Sequence, residues 1–326
     1  LAAALFYPSE AAKEIGMGKR LVGSSGIAVA PLVLGGNVLG WTADEATSFA
    51  LLDRFVDAGG TMIDTADVYS AWAPGHTGGE SETVIGKWLR QSGKRNQVVI
   101  ASKVGMMTGL APDTVTAACD ASLKRMGIDM IDLYYQHKDD EGVPLADSLG
   151  AFDALARAGK IRAIGLSNFA PPRIEEALAA AHHHGLMVPC AYQGWYNMLE
   201  RDKYEGALQD IVTGHGLAMF PFYSLANGYL TGKYRSEADL AKSVRGVRSR
   251  NYLEGKGVAV LAALDAISAE TGAPLAAVAI AWTRDRPGVT APIASATTLA
   301  QLEEQLRGLT FELSPGQVEQ LDQASA

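Results

Sequence analysis

The 326 residues carry 28 Lys and Arg against 36 Asp and Glu, a net charge of −8, with 48% hydrophobic and 20% charged side chains. That acidic, ordinary globular balance supports a large packed core and lacks the basic footprint a nucleic-acid partner demands. Two cysteines, Cys119 and Cys190, are too few for a disulfide framework and read as reduced thiols of a cytoplasmic protein, and no apolar run is long enough to span a bilayer.

Residues 1–16, LAAALFYPSEAAKEIG, lack a basic start and do not read as a signal peptide. They are expected to be a leader or a segment foreign to the fold, leaving 17–326 as one domain. KRLVGSSGIAVA, 19–30, reads as a hairpin about a Ser-Ser-Gly turn, suited to closing the bottom of a barrel. Apolar β-type segments follow at 31–35, 61–64, 98–103, 130–137, 161–168, 188–193, 217–223 and 290–294. Amphipathic stretches at 43–58, 81–92, 112–126, 145–159, 171–184, 205–215 and 257–271 separate them. The first seven strands start at intervals of roughly 30 residues, the length of a βα unit, and their continuous apolar character fits strands buried on both faces. The expected fold is therefore α/β, a (β/α)8 TIM barrel with an N-terminal β-hairpin. A polar, basic insertion, GKYRSEADLAKSVRGVRSRNYLEGKG, follows the seventh strand. SPGQVEQLDQAS, 314–325, opens with Ser and Pro at the N-cap and first helical position and predicts an extra C-terminal helix.

In such a barrel the chemistry sits where the strands end. The second strand ends in Asp64, with Tyr69 five residues on; the third ends in Lys103 and the fourth in His137. Alternation puts Val99, Ala101 and Lys103 on one face, and Leu133, Tyr135 and His137 on one face. Each residue alone has an ordinary structural reading; all four at consecutive strand ends form a set that can protonate a carbonyl oxygen. A phenol of ordinary pKa, about 10, is a poor proton donor near neutrality, and a neighbouring ammonium lowers that value. A carboxylate would hold the lysine charged, and a histidine would orient the carbonyl. The hydride would come from a nicotinamide. Ser167, Asn168 and Gln193 could hold its carboxamide, Phe222 or Tyr223 could stack on its ring, and the helix start in SATTLAQLEEQL could bind a phosphate. No G-x-G-x-x-G follows a strand, so a Rossmann site is not indicated. His182, His183 and His184 fall in or after a helix away from this rim, and no metal is expected.

IDTADVYS with GGESETVIG, then ASKVG, LYYQH, IGLSNF and YLTGKY, stand in an order and spacing that resembles the aldo-keto reductases from about Lys19 to Leu321. The resemblance implies that Tyr69 is the general acid, Lys103 lowers its pKa, Asp64 pairs with Lys103, and His137 orients the carbonyl. It places Phe222 at the stacking position and extends the cofactor site over Gly36, Asn37, Tyr223, Ser224, Leu225, Gly228, Ser295, Thr297, Gln301, Glu304 and Gln305. The positions where some members read a 2′-phosphate around the last strand are neutral here, at Ser295 or Ala296 and Gln301. Another branch uses the GKY lysine and a following arginine, which match Lys233 with Arg248 or Arg250, so NADPH is favoured and NADH is the alternative. Trp41 and Trp72, with Trp195, suggest an apolar-walled pocket for a small-molecule carbonyl or alcohol. Two rivals remain: an NAD-linked dehydrogenase of a sugar or secondary alcohol on the same residues, and a nucleotide-binding regulatory subunit like the channel β-subunits. The latter tend to lack the fourth-strand histidine, which is His137 here.

Overall fold

A computed structural model describes residues 18–326, so the leader expected at 1–16 lies outside the described residues. A short antiparallel hairpin, β1 (Arg20–Leu21) and β2 (Ala28–Val29), comes first. Eight parallel strands follow: β3 (Val33–Gly35), β4 (Met62–Asp64), β5 (Val99–Val104), β6 (Ile131–Gln136), β7 (Ile161–Ser167), β8 (Ala191–Trp195), β9 (Ala218–Phe222) and β10 (Ile293–Ala294). They are hydrogen-bonded in the order β10-β3-β4-β5-β6-β7-β8-β9. The segment before β10 closes the ring: Val289 bridges to Met219, and Thr290 N donates to Met219 O at 2.8 Å. The fold is a (β/α)8 barrel.

Helices α1 (Glu45–Asp57), α2 (Glu80–Ser92), α3 (Pro112–Met126), α4 (Leu145–Arg157), α5 (Pro171–His184) and α6 (Ala207–Gly214) alternate with the strands and lie outside them. Their starts follow local chemistry. Asp44 caps α1 by accepting from Thr47 N, and prolines sit in the first turns of α3 and α5, where a missing N–H costs nothing. Helix α10 (Pro315–Ala324) has the expected Ser314 cap, completed into a capping box by Gln317.

Two apolar clusters divide the core. One packs the outer strand faces against the helices. The other fills the barrel with Val33, Met62, Ala101, Leu133, Ala163, Ala191, Phe220 and Ile293, plugged below by Val22, Ile27 and Val29 of the hairpin. Arg20 ties that plug to the carbonyls of Arg284 and Val289 at 2.5 and 3.1 Å. Strand alternation then sets the next inward position on each strand: two residues beyond inward Met62 is Asp64, beyond Ala101 is Lys103, and beyond Leu133 is Tyr135.

The structure departs from the sequence expectation between β9 and β10. The last strand shrinks from 290–294 to Ile293–Ala294, and two helices precede it, α7 (Lys256–Thr271) and α8 (Leu275–Arg284). Only the first was expected. LAAVAIAWTR in α8 is buried from Ala276 to Arg284, and so short and nearly apolar a run reads as a buried strand as readily as a buried helix. Gly272, Ala273 and Pro274 break the pair, and the axes turn by 105°. A 3-10 turn at 226–231 precedes the basic insertion, which itself forms two more, 237–242 and 246–252, and the three make a strap beyond β9. Helix α9 (Leu299–Leu306) follows β10. Among the described residues no single helix is long and apolar enough to cross a membrane.

Packing inside the barrel makes a checkable demand. A Cβ at Gly165 would lie 2.3 Å from the Tyr135 ring, whereas one at Gly150 on α4 would meet nothing within 4 Å. Gly165→Ala is expected to lose about 1–3 kcal/mol through overpacking, and Gly150→Ala to gain about 0.5–1 kcal/mol in helix propensity. Urea unfolding of both variants checks the pair of signs.

Candidate active site

Asp64 ends β4 and Lys103 lies near the end of β5, side by side in the wall; both are buried. Lys103 Nζ donates to Asp64 Oδ2 at 2.7 Å, to Thr65 O at 2.7 Å and to Tyr69 Oη at 3.0 Å, which uses all three ammonium protons. Tyr69 Oη donates to Asp64 Oδ2 at 3.1 Å, and Gln193 Nε2 reaches from β8 to Asp64 Oδ1 at 2.8 Å. His137 follows β6, its N–H donating to Val104 O at 2.8 Å, and its ring centroid stands 6.2 Å from that of Tyr69. The four residues expected to act together therefore meet at one end of the barrel.

Their electrostatics differ from the expectation in one respect. Burial, followed by the charge and hydrogen bond of Asp64, holds the Tyr69 phenol well above its ordinary value. The resting group is thus the protonated phenol, and the charge of Arg245 opposes this shift without reversing it. Burial lowers the Lys103 ammonium, with Asp64 pulling it back up. Burial, then Lys103, pushes His137 well below the usual imidazole range, so it is a neutral ring. Its Nδ1 is buried with no partner among the described residues.

The GGESE stretch holds the loop that carries Tyr69. Thr65 Oγ1 donates to Ser81 Oγ and Ser81 Oγ to Gly36 O, each at 2.8 Å. Glu82 is fully buried and accepts from Ser102 Oγ at 2.5 Å and Arg125 Nε at 2.7 Å. A side chain at Gly36 would come within 2.8 Å of Asp64 O and Ser81 Oγ. Asp67, in the same loop, has Oδ1 buried without a partner, and burial followed by the charge of Glu82 raises it to about 6.

The residues expected to meet a cofactor lie on the ends of β3 and β7–β10. Asn168, with φ 56°, turns its amide back to His137 O and Ser167 Oγ at 2.9 and 3.0 Å. Phe222 and Tyr223 cluster with Trp195, their ring centroids 6.4 and 5.0 Å from it. Ser224 Oγ donates to Pro221 O at 2.9 Å beside buried Leu225. Lys233 folds over Gly228, where a Cβ would lie 2.8 Å from its Nζ. Ser295 Oγ donates to Asn37 Oδ1 at 2.8 Å and Gln305 Nε2 to Ser295 O at 3.0 Å, joining β3 to α9. Gln301 Oε1 accepts from Thr297 N at 2.9 Å, and Glu304 is exposed. Arg250 pairs with Glu237 at 3.2 Å on the surface, and Arg248 reaches only the Tyr223 hydroxyl at 3.4 Å.

The cation that does reach the β3 loop is Arg245. Its guanidinium lies 5.2 Å from the Trp41 ring, with Nη2 3.4 Å from Asn37 O, and has no carboxylate partner among the described residues. Burial lowers its pKa. The sequence signal was present in the basic run of the strap, but nothing in it distinguished Arg245 from Arg248 and Arg250. Trp41 stands edge-on to Trp72 at 5.6 Å, and Trp72 to Tyr69 at 6.0 Å, so both expected pocket tryptophans lead to the phenol.

Residues 31–326 match the sequence model of the Aldo/keto reductase family. The chain belongs to the aldo/keto reductases. It is 33% identical over 306 residues to the uncharacterized oxidoreductase YrpG of Bacillus subtilis (strain 168), covering 90% of this chain and 91% of that one. It is 30% identical over 318 residues to the norsolorinic acid reductase stcV of Emericella nidulans, covering 91% and 79%. A probable voltage-gated potassium channel subunit beta of Arabidopsis thaliana is 29% identical over 301 residues, covering 88% and 90%. The family uses nicotinamide cofactors, and general carbonyl reduction is its supported chemistry.

In this aldo/keto reductase, Asp67 makes stability depend on pH. Its folded pKa of about 6 exceeds the unfolded value of 3.8, so the folded chain holds an extra proton between them. Stability therefore falls as pH rises through that window, and the ionised carboxylate costs about 1–3 kcal/mol above it. Asp67→Asn removes the penalty. Its unfolding free energy relative to wild type is expected to improve by that amount between about pH 4 and pH 8. Denaturant melts across the range read the difference independently of any fixed cost of the amide.

Proposed function

We propose that this aldo/keto reductase reduces an aldehyde or ketone to an alcohol, with Tyr69 as proton donor and NADPH as the favoured reductant. The observation that carries the reading is the Lys103–Asp64–Tyr69 hydrogen-bonded set, whose phenol is protonated at rest and whose neighbour His137 is neutral. A neutral imidazole can donate to a carbonyl oxygen without a charge to solvate. Lys103 does not make a resting phenolate; its hydrogen bond to Oη stabilises the negative charge that grows there as the proton leaves, which is where electrostatic assistance lowers a barrier. Gln193 and Lys103 together fix Asp64, and Oη, which at rest donates its one proton to Asp64, turns that proton to the carbonyl oxygen while still accepting from Lys103. After release of the alcohol, Tyr69 recovers a proton from solvent.

The residues present suit a nicotinamide dinucleotide. The Trp195–Phe222–Tyr223 cluster offers ring faces, Ser167 and Asn168 offer polar atoms beside His137, and the Trp195 indole N–H and Asn227 Oδ1 are buried without partners among the described residues. Bound there, the cofactor supplies the hydride. Lys233 and Arg245, with no carboxylate partners among the described residues, supply charge for its phosphates. Buried Cys119 and Cys190, raised by burial to about 12 and about 11, are inert thiols in keeping with a reducing, cytoplasmic setting.

Tyr69→Phe is expected to lower kcat by about 10²–10⁴-fold, the usual worth of a general acid, while the Kd for NADPH stays near wild type. Full turnover by the Phe variant on its best carbonyl substrate removes Tyr69 from the chemistry.

Cofactor choice is tested separately. Arg245→Ala is expected to weaken NADPH by about 1.5–3 kcal/mol, the worth of a hydrogen bond to a charged group, with NADH nearly unchanged. Fluorescence titration with each cofactor measures both constants. Equal weakening of the two would place Arg245 on the shared pyrophosphate and remove the basis for preferring NADPH.

A further inference from the structure

On the outer face of the barrel wall, behind the proton donor, buried polar groups stand unbonded. Gln136, the residue before His137, is fully buried, and neither Nε2 nor Oε1 has a hydrogen-bond partner among the described residues. Tyr134 Oη on the same face of β6, and Oδ1 of Asp67 in the loop of Tyr69, are likewise buried without partners among the described residues. Burying such groups unpaired is costly, and most buried polar atoms find a protein or water partner.

Strand register brings Asp67 and Gln136 together. Asp67 N donates to Lys103 O at 3.1 Å, which carries the β4–β5 pairing past Asp64 and sets Asp67 beside Val104. Val104 in turn pairs with Gln136. The three residues form one row across adjacent strands, and Val104 belongs to the apolar cluster outside the barrel, so the row faces the helix layer. Neighbouring strands lie about 4.8 Å apart, which puts the ends of the row about 10 Å apart, a gap that a carboxyl and an amide close through one water. The charged groups around Asp67 are engaged elsewhere. Glu82 of α2 accepts from Ser102 and Arg125, Arg125 of α3 donates to Glu82 and Ser122, and Lys103 of β5 donates to Asp64, Thr65 O and Tyr69. On the strands that flank Asp67, Tyr134 and Gln136 of β6 are the polar groups with unused capacity. The amide suits either state of Asp67, offering Oε1 to the acid and Nε2–H to the carboxylate.

We propose that Asp67 and Gln136 are positioning residues of the reductase site: a buried water joins Asp67 Oδ1 to the Gln136 amide over Val104 and ties the loop of Tyr69 to the strand end of His137. The kinetic consequence rests on the reductase reading above; the link itself does not. Burial, then the charge of Glu82, brings the Asp67 titration to about 6, while His137 stays neutral and Tyr69 protonated. The charge of Asp67 reaches Lys103. Once ionised, Asp67 sets a negative charge behind the ammonium that stabilises Oη as its proton leaves, so reduction slows as pH rises through this titration.

The link is tested without substrate. Carboxyl-carbon NMR of the full chain with labelled aspartate follows Asp67, its signal assigned by its loss in Asp67→Asn. A hydrogen bond to a carboxylate is stronger than one to the neutral acid. Gln136→Leu and Gln136→Met, which keep the bulk and remove the amide, are therefore expected to raise the Asp67 midpoint by about one pH unit, tenfold in proton affinity. Tyr134→Phe should leave it in place. A midpoint unmoved in a folded Gln136 variant, or moved as far by Tyr134→Phe, overturns the link. The effect on Tyr69 is read by single-turnover, stopped-flow reduction of 4-nitrobenzaldehyde with NADPH. The wild-type rate should fall about three- to tenfold as pH rises through the Asp67 midpoint and stay flat over that range in Asp67→Asn. A wild-type rate that is flat there overturns the positioning role. If no carbonyl compound is reduced at any pH, the reductase reading fails, and the NMR titration alone decides the link.

Discussion

A buried ion pair organises the active end of this barrel. Lys103 and Asp64 are 0% and 1% exposed, and taking two charges out of water costs several kcal/mol each unless their hydrogen bonds are satisfied. Here they are satisfied: Lys103 donates its protons to Asp64, Thr65 O and Tyr69, and Asp64 accepts from Lys103, Tyr69 and Gln193. Satisfaction on this scale requires β4, β5 and β8 to end in register across the barrel. The hairpin plug, the inward packing of Met62, Ala101 and Leu133, and the space that Gly165 leaves for Tyr135 all serve that register. A slip of one residue on any of the three strands would turn a polar member of this network into the helix layer.

The same burial sets the protonation states. Desolvation disfavours charge, so it raises the phenol and lowers the imidazole. The site therefore rests as a neutral tyrosine and a neutral histidine over a compensated ion pair, and no net charge has to be moved to admit an uncharged ligand. An ammonium beside a phenol reads, from sequence, as a device for lowering its pKa. With Asp64 bonded to both groups, much of that ammonium field is cancelled at rest, and its value lies in the response when the phenol loses its proton.

The strands, most helices and the meeting of Asp64, Tyr69, Lys103 and His137 were legible because each follows from a local rule. Strand alternation placed Asp64, Lys103 and His137 at one end, and Ser-Pro announced α10. Helix α8 was not legible, because in a short, nearly all-apolar run nothing separates a buried helix from a buried strand. Arg245 was hidden for another reason. Its neighbours Arg248 and Arg250 have the same composition and nearly the same position in sequence, and only the 3-10 turns of the strap decide which guanidinium faces Trp41 and which meets Glu237. Asp67 likewise reads as a turn residue. Its raised pKa arises from burial and from Glu82, fifteen residues away and folded against it.

The strap lies where the barrel wall is least tied. Strand β10 has two residues and β3 three, and β9 is joined to the segment before β10 through Met219, by a bridge and the bond from Thr290 N. Across this seam the side chains supply what the backbone does not: Ser295 bonds to Asn37, Gln305 to Ser295, and Arg245 reaches from the far side to Asn37 and Trp41. These are exchangeable polar contacts rather than packed apolar ones. Each such bond can be exchanged for one to water, whereas the ion pair on the neighbouring strands β4 and β5 is buried and has no such substitute.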